Sequence, residues 1–241
     1  MTVFAAASMT ESLGEIADLY KKTAPDVEIV YNFDSSGTLK TQIQQGADCD
    51  VFISAGQRQM NQLDISADPS VNTESLDFVL PDSRFNIVAN RVVLIVPKGK
   101  NPSGIGDFKD AATDKVSLIS LGNSDVPVGQ YSQEIYTSLG LWDGLNSSGK
   151  ISFASNVKEV LTQVAAGAVD CGVVYSTDAA TSTGVEIAAD APEGSHAPIT
   201  YPAAILKGVK DEGAARAFLD FLKGDEATAV FKRIGFAIPA R

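Results

Sequence analysis

The chain begins with a short apolar stretch that ends in a hydroxyl group: Thr2-Val3-Phe4-Ala5-Ala6-Ala7-Ser8. This stretch predicts a buried strand, and the apolar residues between Leu13 and Tyr20 recur at the spacing of a helix that follows at once. Ser8 and Glu11 have the spacing of a capping box, which predicts that Ser8 lies where the strand passes into the helix. Because a helix start combines unpaired N–H groups with the positive end of a dipole, Ser8 indicates either a simple cap or an anion site.

The same order of strand, turn and helix start recurs in the next part of the chain. Alternating apolar residues predict a second strand that ends at Asp34, and Ser35-Ser36-Gly37 supplies the turn. A helix face begins at Leu39, and a third strand is predicted over Asp50–Ser54. Ser36 therefore repeats the position of Ser8, after a strand and before a helix.

Further helix starts are predicted in the middle of the chain. A loop rich in turn formers precedes Val128. Asn156, with Glu159 three residues later, predicts a capped helix that starts at Val157. The predicted strand Cys171–Tyr175 also stops beside a helix-start signature. Strands that alternate with helices predict an α/β architecture in which most strands are parallel.

Two extended runs are longer than an ordinary strand and predict that the chain crosses between two lobes. They cover residues 85–97 and 199–206, whereas strands average about 5–6 residues. We therefore expect residues 1–88 and 201–241 to form lobe 1 and residues 89–200 to form lobe 2. The ligand cleft is expected between the lobes.

Composition excludes several classes of protein. The chain has 241 residues, of which 44% are hydrophobic and 20% charged, as in globular proteins with sizeable cores. Its formal charge of −11 argues against nucleic-acid binding through a basic face, so any anion must be held at short range by aimed donors. No stretch approaches the length of a membrane span. The chain enters its first strand at once, so we expect no signal segment within it.

The cysteines and the histidine do not indicate a metal site. Cys49 and Cys171 lie far apart, at or next to predicted buried strands, and are interpreted as two buried thiols. His196 stands alone in a Pro/Gly-containing loop, which is typical of a solvated surface residue. No Cys/His spacing of a zinc site is present, so no direct ligands for a metal cation are predicted.

The helix starts predict one binding site of unusual chemistry. In open α/β sheets ligands bind outside the carboxyl ends of the strands, so these positions would surround a shared cleft. Ser8 and Ser36 would donate through hydroxyl groups, Val128 and Val157 through the backbone N–H alone, and Tyr175 through its hydroxyl. Such a site suits a fully ionised oxyanion, which accepts hydrogen bonds but cannot donate them. Taken singly, the valines could equally be core residues and Tyr175 an ordinary strand residue.

Three carboxylates lie close in sequence to these positions. They are Asp34, Asp125 and Asp178, and each is interpreted first as a capping or turn residue and not as a ligand. An anion that keeps a proton, such as phosphate, would need an acceptor of this kind.

The chain resembles a known family over nearly its whole length and in order. The segments that carry the resemblance are Val3-Phe4-Ala5-Ala6-Ala7-Ser8, Ser35-Ser36-Gly37-Thr38-Leu39, Asp50-Val51-Phe52-Ile53-Ser54-Ala55, Val126-Pro127-Val128-Gly129, Gly172-Val173-Val174-Tyr175-Ser176-Thr177-Asp178 and Phe231-Lys232-Arg233-Ile234-Gly235-Phe236. They are similar to those of the molybdate-binding proteins of ATP-driven (ABC) importers. The resemblance implies a two-lobed, periplasmic-binding-protein-like fold of type II, with two mixed sheets flanked by helices and two hinge crossings.

The resemblance also implies the ligand and its contacts. Molybdate, and usually tungstate, would be held by hydrogen bonds alone, with no cofactor. Ser8 and Ser36 would bind through hydroxyl and backbone N–H, Val128 and Val157 through backbone N–H, and Tyr175 through its hydroxyl. Val128 replaces a residue that is more often small, and Gly37 stands where a third serine can occur. Neither change removes a backbone donor.

Partners and location follow from the same resemblance. The protein is expected to act as a monomer outside the cytoplasm, in the periplasm or tethered to the cell surface. It is expected to deliver its anion to the permease subunits of an ABC transporter.

Other functions remain open at this stage. A receptor for another tetrahedral oxyanion, such as sulfate, would use similar donors. A hydrolase with Ser8 or Ser36 as nucleophile would need a general base, and the chain has neither a suitably placed histidine nor a G-x-S-x-G elbow, so no enzyme is predicted. A ligand-sensing domain of a transcription regulator would need a DNA-binding module, and none precedes Thr2.

Overall fold

The computed structural model describes residues 1–239. Within them the chain divides into two units. Unit 1 contains Met1–Ala89 and the residues from Ile199 onward, and unit 2 contains Asn90–Pro198. The borders lie close to those expected from the two long extended runs. A cleft for a ligand between the two parts stays a prediction.

Unit 1 is built on a mixed five-stranded sheet. Its strands are β1 (Thr2–Ala6), β2 (Val30–Asp34), β3 (Val51–Ile53), β4 (Phe85–Ala89) and β10 (Thr200–Ile205). Their order in the sheet is β2-β1-β3-β10-β4. β1 is parallel to β2 and β3, whereas β10 is antiparallel to β3 and β4.

Helices cover the sheet of unit 1. They are α1 (Thr10–Thr23), α2 (Ser36–Gln44), α3 (Gln57–Asn61), α8 (Glu212–Lys223) and α9 (Asp225–Ile234). Leu39 and Ile43 lie one turn apart on α2 and pack in one buried cluster with Phe4 and Phe52 of the sheet. Burial of each such side chain stabilises the fold by about 1.5–3 kcal/mol, so this face holds α2 against the strands that lead to it.

Unit 2 is built on a second mixed five-stranded sheet. Its strands are β5 (Val92–Pro97), β6 (Ile119–Gly122), β7 (Ile151–Ala154), β8 (Cys171–Tyr175) and β9 (Val185–Asp190). Their order is β7-β6-β8-β5-β9. β6 is parallel to β7 and β8, whereas β5 is antiparallel to β8 and β9.

The helices of unit 2 follow its parallel strands. They are α4 (Pro127–Ser138), α5 (Trp142–Ser147), α6 (Val157–Ala165) and α7 (Ser176–Ala180). α6 lies close against β8 because Gly172 has no side chain, and a Cβ there would stand 2.7 Å from Val164 and 2.9 Å from Val160. The close approach fixes the start of α6 relative to the sheet.

The two sheets share one plan. In the order of each sheet, three parallel strands are followed by an antiparallel strand, which is β10 in unit 1 and β5 in unit 2. The chain enters unit 2 through β5 and returns to unit 1 through β10. Because the entering strand is antiparallel, it begins at the edge where the parallel strands end. The chain therefore passes into each unit beside the helix starts.

The α/β class and the two mixed sheets are confirmed, and the differences from the predicted elements are local. The run 85–97 divides into β4 and β5. The second predicted strand, β2, ends at Asp34 as expected, and the sequence analysis did not predict α5. Among residues 1–239, no helix has the length and apolar character needed to cross a membrane.

Candidate functional site

In unit 1, Ser8 and Ser36 lie at the same edge of the sheet. Ala6 and Asp34, the last residues of β1 and β2, are partners in the parallel register. Ser8 and Ser36 each follow their strand by two residues. The register therefore brings together two hydroxyl groups that are well separated in sequence.

Ser8 does not cap α1, so the predicted capping box is wrong. A 3₁₀ turn over Ala7–Met9 separates β1 from α1, and Met9 occupies the cap position without a side-chain hydrogen bond. The extra turn moves Ser8 away from the N–H groups it was expected to cap. Its Oγ instead lies 3.0 Å from Oη of Tyr201, and both side chains are buried.

Ser36 is the first residue of α2, and its neighbour does the capping. Oγ of Ser35 accepts a hydrogen bond of 3.1 Å from the N–H of Thr38. Ser36 is fully buried, and its Oγ accepts a hydrogen bond of 2.9 Å from the N–H of Ala55. A hydroxyl that accepts in this way keeps its proton for a further acceptor.

In unit 2, three parallel strands carry helix starts to one edge of the sheet. β6 is the middle strand between β7 and β8, and Gly122 at its end pairs with Ala154 at the end of β7. α4, α6 and α7 follow these strands in turn. Val128, Val157 and Tyr175 therefore lie at the carboxyl edge of this sheet.

Among the described residues, Val128 carries the one N–H in the first turn of α4 that makes no hydrogen bond. Pro127 precedes it and has no N–H. The N–H groups of Gly129 and Gln130 both donate to the carbonyl of Val126, at 2.9 and 3.1 Å. No described residue accepts from the N–H of Val128. α4 thus offers one donor, although the Val128 side chain is fully buried.

Gly129 lets this first turn reach the end of β6. A Cβ at Gly129 would stand 2.3 Å from the carbonyl oxygen of Gly122 and 2.4 Å from that of Asn123. Real Cβ atoms do not approach backbone oxygens so closely. Only glycine therefore permits the observed position of the Val128 N–H.

Val157 begins α6, and the predicted cap is confirmed. Oδ1 of Asn156 accepts from the N–H of Glu159 at 3.0 Å. The Glu159 carboxylate accepts from both the N–H and the hydroxyl of Ser155 at 2.7 Å, and these bonds hold the pKa of Glu159 below its usual value. As the first residue of the helix, Val157 has an N–H with no intrahelical partner.

Tyr175 ends β8 and is almost completely buried. The edge of the Tyr131 ring packs on it, with centroids 6.5 Å apart, and His196 in turn packs on Tyr131 at 5.7 Å. His196 is partly exposed, as expected of a surface loop residue, and its ring also packs against Tyr131.

The three nearby carboxylates have different roles. Oδ1 of Asp34 accepts from the N–H of Ser35 at 2.7 Å, as a turn residue does. Asp125 is exposed. Asp178 is fully buried in the first turn of α7, and its Oδ1 lies 3.2 Å from Nζ of Lys158, so it lies at a helix start and forms an ion pair there. The ion pair joins the first turns of α6 and α7, since Lys158 follows Val157.

A pocket of about 500 Å³ in unit 1 contains a cation but none of the five candidate residues. Arg84 in this pocket donates to Asp64, Gln57 and Asn61 at 2.5–2.7 Å. Asp64 thereby compensates its charge, and three of its five N–H donors are used. This pocket is therefore less suited to an anion than the helix starts are.

Within residues 1–239, neither the thiols nor the possible metal ligands indicate a second kind of site. Cys49 and Cys171 are free and buried, which confirms their interpretation as buried thiols. No cluster of three or more His, Cys, Asp or Glu side chains within residues 1–239 could hold a metal ion.

The sequence analysis missed several residues that support the candidate ligands. Tyr201, Ala55 and Lys158 contact Ser8, Ser36 and Asp178, respectively. The first two pairs are 193 and 19 residues apart, so no local spacing could reveal them. The position of Tyr201 in the second long extended run was the available signal, because that run enters unit 1 beside the helix starts.

Comparisons with known proteins show the family of the chain. The family described as bacterial extracellular solute-binding protein matches residues 1–237. Molybdate-binding protein ModA of Escherichia coli is 37% identical over 99% of this chain and 89% of its own length, and that of Haemophilus influenzae is 36% identical over 98% and 89%. The periplasmic molybdate-binding protein of Azotobacter vinelandii is 27% identical over the full length of both chains, with a TM-score of 0.84.

The family is one of binding proteins and not of enzymes, which excludes the hydrolase alternative. The chain belongs to the bacterial extracellular solute-binding proteins.

Proposed function

We propose that the protein binds molybdate, and tungstate with it, and delivers the oxyanion to the permease subunits of an ABC importer. The ligands in this proposal are the hydroxyl and backbone N–H groups of Ser8 and Ser36, the backbone N–H groups of Val128 and Val157, and the hydroxyl of Tyr175. The two units close on the anion about their two crossings, and the protein acts as a monomer outside the cytoplasm.

One observation carries the proposal. Within each unit the candidate donors lie at the carboxyl edge of adjacent parallel strands, at or next to helix starts, and none of them is charged. Helix starts favour anions through both their N–H groups and their dipoles. The relatives named molybdate-binding proteins support the choice of anion.

The two serines are prepared for an acceptor in the same way. Ser36 Oγ accepts from the N–H of Ala55, and Ser8 Oγ can accept from the hydroxyl of Tyr201. Each serine proton is then available to the anion. A hydroxyl that accepts one hydrogen bond is polarised and donates the next more strongly.

The donors are sufficient for tight binding. Seven hydrogen bonds to a charged acceptor contribute about 1.5–3 kcal/mol each, before the costs of association and ordering are subtracted. Nanomolar affinity requires about 12 kcal/mol. Neutral donors also explain how a protein of net charge −11 holds a dianion without an uncompensated cation in the donor set.

Calorimetry tests the proposal. The protein is titrated at one pH with sodium molybdate, tungstate, sulfate and phosphate. We expect tight binding of molybdate and tungstate, and none of phosphate, because phosphate keeps a proton and the one fully buried candidate carboxylate, Asp178, is paired with Lys158. Tight sulfate binding without molybdate binding would overturn the choice of anion and favour the sulfate receptor.

A further inference from the structure

The segment by which the chain enters unit 2 is bonded to the residues that follow Tyr175. Nδ2 of Asn90 donates to Oγ1 of Thr177 at 2.8 Å, and Oδ1 of Asn90 accepts from the hydroxyl of Ser176 at 3.2 Å. The carbonyl of Arg91 accepts from the N–H of Ser176 at 3.0 Å. Asn90 and Arg91, here called the entry segment, thus hold the first turn of α7 through three hydrogen bonds.

These bonds replace the cap that α7 lacks. Tyr175 occupies the cap position of α7, and its side chain makes no capping hydrogen bond there. The entry segment satisfies the first N–H group of the helix and fixes the hydroxyls of Ser176 and Thr177. Thr177 is almost fully buried, so its hydrogen bond to Asn90 is shielded from water. Val92 pairs with Tyr175 in the sheet. The backbone of Tyr175 is therefore fixed by this pairing and by the bonded first turn of α7 that follows it.

The geometry points to Asn90 as a positioning residue for Tyr175. Asn90 fixes the first turn of α7 through Thr177, and this turn sets the direction of the Tyr175 hydroxyl. Because Asn90 is also the first residue of unit 2, a change of backbone conformation in the entry segment moves the same turn. In the proposed function, closure of the two units on the anion therefore also aligns the Tyr175 hydroxyl. The inference rests on the proposed function and names a further determinant of the same site.

A positioning role differs measurably from a role in stability alone. If Asn90 acts through Tyr175, removal of the Tyr175 hydroxyl makes the Asn90–Thr177 hydrogen bond irrelevant to affinity. If the bond only stabilises the fold, its loss changes the unfolding temperature, and any change in affinity is the same whether or not the hydroxyl is present. A double-mutant cycle separates the two cases.

The variants are Thr177→Val, which keeps the shape of the side chain and removes the acceptor, and Asn90→Ala, which removes the donor without adding a charge. Each is measured with sodium molybdate by calorimetry, alone and combined with Tyr175→Phe. We expect each to weaken binding about fivefold in the native background and less than about twofold beside Tyr175→Phe. Thr177→Ser keeps the hydroxyl and restores binding.

Thr181→Val is the matched control. It removes a threonine hydroxyl bonded to the carbonyl of Asp178 at 2.8 Å, just beyond the other end of α7, and is expected to leave affinity unchanged. Thermal unfolding of every variant checks the fold, and Asn90→Ala decides the question if Thr177→Val does not fold.

Equal effects with and without the Tyr175 hydroxyl would overturn the inference, as would unchanged affinity in Asn90→Ala and Thr177→Val. Failure of the proposed function looks different, because the native protein would then not bind molybdate. If it bound sulfate instead, the same cycle would be run with sulfate.

Discussion

At the scale of single residues, adjacent serines divide two tasks between them. Ser35 caps α2 through its hydroxyl, and Ser36 is left with a buried hydroxyl whose oxygen accepts from Ala55. Had Ser36 been the cap, its oxygen would point at its own helix. The division of tasks is what allows Ser36 to donate outward.

Two alanine substitutions separate these tasks. We expect Ser36→Ala to lower molybdate affinity by more than about tenfold with the fold intact, because an ionised acceptor loses a donor in a dry site. Ser35→Ala removes the cap and is expected to lower the free energy of unfolding by about 1 kcal/mol without changing affinity. Calorimetry and urea unfolding measure the two quantities. Equal affinity in Ser36→Ala and the native protein would mean that the anion binds elsewhere.

The two thiols are expected to be inert in the folded protein. Burial, the largest influence on both, raises the pKa of Cys49 and of Cys171 to about 12. Since the thiolate is the reactive form, iodoacetamide at about pH 8 should label neither residue in the native protein and both in urea. Mass spectrometry counts the labels, and rapid labelling without urea would contradict the expectation.

At the scale of elements, the strand ends and helix starts matter more than the helices themselves. α4 and α6 each offer an N–H of a valine, whose side chain is buried and takes no part. What these positions require is a fixed first turn. Pro127 and Gly129 supply it in α4, and Asn156 supplies it in α6.

Gly129→Ala tests the first turn of α4. Its Cβ would collide with the carbonyl of Gly122, so the turn must shift, and we expect molybdate affinity to fall at least about tenfold, as for one lost charge-assisted hydrogen bond. Gly144→Ala in α5 is the control, because a Cβ there meets open space. It should leave affinity unchanged. Equal affinities of the two variants would show that the position of α4 is not critical.

At the scale of the whole molecule, two sheets of one plan carry candidate donors from the N-terminal part and the middle of a single chain. Each sheet receives its entering strand beside its own helix starts, so the crossings and the candidate ligands are adjacent in both units. The proposed function thus rests on neutral donors in a chain whose net charge is −11.

The acid stability of the protein is expected to depend in part on Asp64. Burial alone would raise its pKa, but hydrogen bonds from Ser66 and Arg84 outweigh burial and lower it. A carboxylate whose pKa is lowered in the folded state stabilises that state above its unfolded pKa of about 4, and this contribution is lost as the pH falls through the folded pKa. Asp64→Asn should therefore have a lower urea midpoint than the native protein at about pH 7. The gap should narrow as the pH falls below about 4, and a constant gap would contradict the assignment.

Local patterns in the sequence predicted most of the elements and named the candidate donors. Apolar spacing predicted the strands and helices, two overlong runs predicted the crossings, and turn residues predicted helix starts at Ser36, Val128 and Val157. These features depend on hydrogen bonds and side-chain faces within a few residues of one another, so a single chain displays them. The cap at Asn156 is of this kind.

Only the tertiary structure decided which residues support the candidate donors and the nearby Asp178 carboxylate. Ser8 meets Tyr201 and not its expected helix, Ser36 meets Ala55, and the Asp178 carboxylate meets Lys158. Each contact joins strand ends or helix starts that are brought together by sheet order and register, which depend on the summed packing of both units. Ser8 was expected to be a helix cap because its spacing to Glu11 is local. The fold overrides that spacing with one extra turn, because β10 presents the Tyr201 hydroxyl at the edge where β1 ends.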